Sequence, residues 1–191
     1  MALFKTEDLR SRAKQGIPLY ESANTALTKR ASAQDSITSF DIFLSHSFAD
    51  KDLILGLALS IEDLGYKVYI DWRDDPLLDR TAVTEATANK LKSRMKSSKC
   101  LLFSTTESSS SSKWMPWELG FKDGHNSRVA ILPVATGSSY DFKGQEYLGI
   151  YPFMQIANDN VGKKRLWIYK SANTYIEFSA WLNGSEPFKR S

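Results

Sequence analysis

The chain has 191 residues, 42% of them hydrophobic and 25% charged, with a formal net charge of +3. That suits one domain with a substantial core plus an appendage, and the small, dispersed charge excludes the basic stripe of a dedicated nucleic-acid binder. Cys100 is the single cysteine, which excludes an internal disulfide and a cysteine-based metal site and fits a reducing, cytoplasmic compartment.

Residues 1–39 are rich in Ser, Ala, Thr, Lys and Arg and read as an N-terminal arm, partly helical. Glu7 and Asp8 interrupt the apolar core that a signal peptide needs. A short helix is expected from Asp8 to Gln15, stopped by Gly16-Ile17-Pro18, and a weaker one from Glu21 to Arg30. The arm either packs on the domain or a partner, or is a mobile extension.

From Phe40 the pattern alternates. Phe40 to Ser45 is an apolar strand of the kind buried on both faces of a parallel sheet. Leu53, Leu57, Ile61 and Leu64 form a helical stripe between Asp50 and Leu64, closed by Gly65. Tyr66 to Asp71 is the second strand, Trp72 to Arg80 a polar loop, and Val83 to Lys99 a helix. Cys100 to Ser104 is the third strand. The serine run Ser108 to Ser112 reads as a solvated loop or a lid, followed by a helix opening near Lys113 or Trp114 with Pro116 in its first turn. Val129 to Val134 is the fourth strand, Gly144 to Tyr151 a helical connection, Arg165 to Tyr169 the fifth strand, and Asn173 to Leu182 a closing helix.

Five strands alternating with helices predict an α/β, flavodoxin-like three-layer fold, with a five-stranded parallel sheet and helices on both faces, over residues 40–191. Ligands of such sheets bind beyond the strands' C-terminal ends. The segments to inspect are therefore 45–49, 72–80 and 104–118. No apolar run approaches the ~20 residues of a membrane span, and no glycine-repeat phosphate motif occurs.

At these loops the chain resembles a bacterial TIR (Toll/interleukin-1 receptor) domain. Phe40-Asp41-Ile42-Phe43-Leu44-Ser45-His46 matches the family's opening box, and Asp50 follows where its first helix starts with an acid. Asp71 closes the second strand before the so-called BB loop. Trp114-Met115-Pro116-Trp117-Glu118-Leu119 matches the Trp-x-x-x-Glu-Leu helix that carries the catalytic glutamate in NAD-consuming members. The resemblance spans roughly residues 40 to 182. It departs from the family in the loop at 72–80, which lacks the usual glycine and carries Pro76.

The resemblance implies cleavage of the nicotinamide–ribose bond of NAD, with NAD as substrate and no further cofactor or metal. Glu118 would be the catalytic carboxylate. Hydrolysis and cyclisation to a cyclic ADP-ribose-type signal both remain open. Some bacterial relatives make such a signal in Thoeris-type anti-phage defence, where it activates a second effector protein. TIR–TIR contacts imply a homo-oligomer or filament when active.

Spacing adds that Trp114 and Glu118, four apart, share a helix face. Phe43, Trp72 and Trp117 are further candidates for a stacking wall. Ser45, His46 and Ser104, at strand ends, are candidates for meeting ribose or phosphate, and Arg73 for balancing the pyrophosphate. Each has a plainer reading: a glutamate near a helix start complements the dipole, the tryptophans pack, His46 lines its loop, Asp71 fixes the start of its loop, and Arg73 is a solvated charge. His125, without metal-ligand companions, is taken as surface. Two other functions compete: a non-catalytic adaptor working by homotypic assembly, and a nucleoside transferase on a similar sheet.

Overall fold

The computed structural model describes residues 3–16, 39–78, 84–106, 108–135 and 146–190. Strand β1 is Phe4–Lys5, and helix α1 spans residues 6–16. Strand β2 (Phe40–Ser45) leads through a 3₁₀ turn, Phe48–Asp50, into α2 (Lys51–Glu62). Strand β3 (Val68–Tyr69), the short α3 (Asp71–Asp74), α4 (Glu85–Lys96) and β4 (Ser98–Thr105) follow. Next come α5 (Trp114–Asn126), β5 (Val129–Ala135), β6 (Phe153–Asn158), β7 (Lys164–Ser171), β8 (Thr174–Glu177), α6 (Phe178–Leu182) and β9 (Phe188–Lys189).

The strand order is β3-β2-β4-β5-β6-β7-β8-β9, with β1 beside β5. Pairing is parallel from β3 to β6 and antiparallel from β6 onward. The parallel set on this path has five strands, but its fifth member is β6, which the sequence reading passed over. The expected fifth strand is present as β7 and runs antiparallel. The turn joining β6 to β7 explains this: Asp159 Oδ1 accepts from the Val161 and Lys163 backbone N–H groups, and Gly162 takes a left-handed φ of +80°. Such a tight turn makes a hairpin rather than a crossover. The expected closing helix is likewise split, because Thr174, Tyr175 and Ile176 pair with β7 and only Phe178–Leu182 is helical.

The two-residue alternation of strands sorts the core into two layers. Ile42 and Leu44 of β2 and Cys100 and Leu102 of β4 face Leu9 of α1, Leu57 and Ile61 of α2 and Trp181 of α6. Phe43, Leu101 and Phe103 face the other way, toward Leu91 and Met95 of α4 and Met115 and Leu119 of α5. Helices thus cover both faces of the sheet. Among the described residues no helix is long and apolar enough to cross a membrane.

The first part of the arm is built into this framework. Phe4 and Lys5 pair in parallel with Val134 and Ala135, and Thr6 Oγ1 donates to the Ala135 carbonyl at 2.9 Å. Leu9 and Ala13 are buried, and Arg12 binds Asp63 with both Nε and Nη2. The helix expected at Glu21 to Arg30 lies outside the described residues.

Candidate active site

Successive connections leave the sheet centre in opposite directions. From β2 the chain passes through α2 to β3 on one side, and from β4 through α5 to β5 on the other. The crevice beyond the C-terminal ends of β2 and β4 is therefore the topological switch point, where open α/β sheets bind ligands.

Glu118 points into this place. It is the fifth residue of α5, past the first turn where the helix dipole acts, and its side chain has no solvent exposure. Ser45 Oγ, at the end of β2, donates to Glu118 Oε2 at 2.6 Å. Ser104 Oγ, near the end of β4, donates to the Ser45 carbonyl at 2.8 Å. Ser45 and Ser104 are also fully buried. Ser45 meets the carboxylate and Ser104 holds Ser45 in turn, so the dipole-only reading of Glu118 does not describe it.

His46 is buried beside this cluster and ties β2 to α3. Its Nδ1 bonds the Leu44 carbonyl at 2.8 Å, and its Nε2 accepts from Trp72 Nε1 at 3.1 Å. Asp71 Oδ1 stands 3.3 Å from the same Nε2 and accepts the Trp72 backbone N–H at 2.7 Å. His46 and Asp71 thus fix the start of the loop and hold the half-buried Trp72 ring at the sheet edge.

The remaining aromatics divide. Phe43 is buried in the core, stacked on Tyr69 with centroids 5.1 Å apart, so its ring face is occupied by protein. Trp114 and Trp117 are half-buried and meet edge to face at 5.4 Å, and Trp117 stacks on Phe121 at 6.0 Å. This makes an aromatic stripe on α5, with Trp114 one turn before Glu118. Arg73 is not brought to the site. Its guanidinium is buried between Glu62 at 2.8 Å, Asp74 at 3.1 Å and the Val68 carbonyl, so its donors are engaged within the fold. The expectation that it balances a pyrophosphate is corrected accordingly.

Besides Asp71, the loop after β3 is shaped by Asp74 and Asp75, which the sequence reading missed. It begins as a helical turn, because Asp74 Oδ2 accepts the Ile70 N–H at 2.6 Å and Asp71 accepts that of Trp72. Asp75 then accepts from Tyr69 Oη at 2.8 Å and pairs with Lys90 and Arg94 of α4. A tyrosine near a strand end followed six residues on by an acid was the available signal. Asp50 does not cap α2 with its side chain; its Oδ2 accepts from Thr106 Oγ1 at 2.6 Å, linking the segments after β2 and β4. Part of the serine run, Ser109–Ser111, forms a 3₁₀ turn braced by Ser109 Oγ on the Thr106 carbonyl.

A three-layer α/β sheet with a buried carboxylate at its switch point belongs to the class of open α/β domains whose ligands bind beyond the strands' C-terminal ends. The chain belongs to the TIR domain family, which matches residues 42–159. A protein of Bacillus cereus (strain MSX-D12) named "Probable 3' cyclic ADP-D-ribose synthase ThsB'" is 44% identical over 191 aligned residues, covering 95% of this chain and 98% of its own length. That share is too large to leave out the arm. A Cytobacillus dafuensis protein named "Putative cyclic ADP-D-ribose synthase TIR2" is 35% identical over 83 residues, which cover 43% of this chain and 22% of that protein.

Proposed function

We propose that this chain breaks the nicotinamide–ribose bond of NAD and closes the remaining ADP-ribose into a cyclic signal used in anti-phage defence. The observation that carries this reading is the Glu118 carboxylate, buried at the switch point and hydrogen-bonded by Ser45. The near full-length likeness to a protein named as a 3' cyclic ADP-D-ribose synthase supplies the reaction class and the expected 3' linkage.

The chemistry follows from the leaving group. Nicotinamide in NAD is a pyridinium, so when the C1–N bond breaks the electron pair goes to nitrogen and the base departs neutral. No acid is needed, unlike the carboxylate pair of ordinary glycosidases. Glu118 stabilises the positive charge that develops on the ribose and accepts hydrogen bonds from its hydroxyls. Trp114, one turn away, offers an aromatic face to the cationic ring. A hydroxyl of the same ADP-ribose then bonds to C1 and releases its proton, giving the cyclic product; attack by water gives ADP-ribose instead.

The same proposal includes TIR–TIR assembly of the active protein and a downstream effector that reads the product. The test is incubation with NAD, with nicotinamide release followed in time and the nucleotide products separated by mass spectrometry. Glu118-dependent release with a cyclic product supports the reading. No release at high protein concentration favours the non-catalytic assembly module, and release of base from simple nucleosides favours the transferase.

A further inference from the structure

Ser45 ends β2 on the face covered by α5, and its hydroxyl has one proton. It is donated to Glu118 Oε2, with the two oxygens 2.6 Å apart and both side chains buried. A serine arranged this way has no donor left to offer a ribose or phosphate. Its main chain is held in turn, because Ser104 Oγ donates to the Ser45 carbonyl at 2.8 Å. The two bonds join β4 to β2 and β2 to α5 across 59 and 73 residues of sequence.

We propose that Ser45 is a positioning residue for Glu118 rather than a substrate ligand, with Ser104 holding the Ser45 backbone in register. The proposal rests on the enzymatic reading above and refines the role of that site. A glutamate side chain has three rotatable bonds, and a donor fixed at one of its oxygens narrows the rotamers it can take. Catalytic groups need placement within roughly 0.5 Å and 10–20°, and a 1 Å error costs on the order of a hundredfold in rate. Part of that orientation comes from a hydroxyl on another element, so removing the hydroxyl loosens the carboxylate while α5 stays in place.

The experiment compares wild type, Glu118→Gln, Ser45→Ala, Ser45→Thr and the double variant Ser45→Ala/Glu118→Gln. Nicotinamide release from NAD is measured at limiting and saturating substrate, with a thermal melt for each protein. In folded Ser45→Ala the expected result is a kcat lower by about ten- to a hundredfold with KM changed by less than about twofold. Ser45→Thr, which keeps the hydroxyl, restores most of the loss. In the Glu118→Gln background, read at high enzyme concentration, Ser45→Ala costs less than about twofold more, because the group it serves is already gone.

A raised KM with unchanged kcat assigns Ser45 to substrate contact and overturns the proposal. Multiplicative losses in the double variant, or full activity of Ser45→Ala, overturn it too. Should Ser45→Ala not fold, Ser45→Cys, close in size and a weak donor, is judged by the same criteria. Wild type without Glu118-dependent release overturns the enzymatic reading and this proposal together. Wild type with such release leaves Ser45 judged on its own.

Discussion

Arg94 of α4 reaches back 19 residues to grip Asp75 with two nitrogens, Nε to Oδ2 at 2.7 Å and Nη2 to Oδ1 at 2.8 Å. Both side chains are about nine-tenths buried, and Tyr69 Oη adds a third hydrogen bond to the carboxylate. The pair fastens the loop after β3 to α4. Asp75 lies next to Pro76 in a loop, residues 72–80, that has no glycine. Burial pushes the Asp75 carboxyl up, but the bonds from Arg94 and Tyr69 outweigh it and hold it below the ordinary carboxylate range.

Asp75→Asn removes a bidentate counter-charge from the buried Arg94 guanidinium, and the expected loss of stability is about 3 kcal/mol. The sign of the pH dependence follows from the lowered value. The stabilisation is complete above the unfolded carboxylate pKa of ~3.9 and disappears as pH falls through the lower folded value. Urea unfolding of wild type and Asp75→Asn between neutral and acid pH checks this: the gap between them should close in acid. A constant gap would show that the ion pair contributes nothing.

Glu118→Gln retains shape and loses charge. Nicotinamide release should fall by about 10²–10³-fold. A melting temperature close to wild type would show that the loss is chemical, not structural. Comparable activity in the two proteins would move catalysis to another residue.

Trp114→Ala removes a half-buried ring that lies on the aromatic stripe of α5. Steady-state kinetics should show kcat/KM lower by about tenfold, equivalent to ~1.4 kcal/mol of transition-state contact. Unfolding of this variant would assign the ring to the core instead.

Lys122 lies one turn beyond Glu118 on α5, fully buried, with Nζ donating to the Met95 carbonyl at 2.7 Å and also to that of Ser98. It anchors α5 to the end of α4 and the start of β4. Burial pushes its pKa down to about 8. Between about 8 and the unfolded ~10.4 the unfolded chain binds more protons, so the lysine favours folding increasingly as pH rises. Lys122→Met should cost about 1–3 kcal/mol for each carbonyl left unsatisfied. The stability difference between wild type and this variant should widen from pH 7 to 9.5. A difference flat across that range argues against a buried, titrating ammonium.

Gly56 is where α1 touches α2. A Cβ there would stand 1.9 Å from the Leu9 carbonyl oxygen, far inside any tolerable contact with backbone. Gly56→Ala should therefore lift residues 3–16 off the domain. Hydrogen exchange of those residues should accelerate in the variant, and protection equal to wild type would show that α1 has another way to dock.

The parallel core was legible because buried strands are written as apolar runs: Phe40 to Ser45, Cys100 to Ser104 and Val129 to Val134 all appear where expected. The antiparallel half was harder to read. Phe153–Asn158 alternates weakly, with Gln155 among its buried positions, and its hairpin signal lies in the turn at Asp159 to Gly162 rather than in the strand itself. Of the site, the motif and its spacing pointed to Glu118, and strand ends pointed to Ser45 and Ser104. Arg73 had the right charge in the right loop, yet nothing local discloses that Glu62, eleven positions earlier on another helix, holds it.

What the sequence by itself determined is therefore the set of local patterns: the apolar strands of the parallel core, the helices between them, and which helix presents a carboxylate beside a tryptophan. Tertiary structure alone decided which oxygen of Glu118 receives the Ser45 proton, which carboxylates hold Arg73, and that Asp75 latches its loop to α4. The reason is physical. Periodicity and turn chemistry act between near neighbours, whereas hydrogen bonds and ion pairs join atoms within about 3 Å, regardless of how much chain separates them.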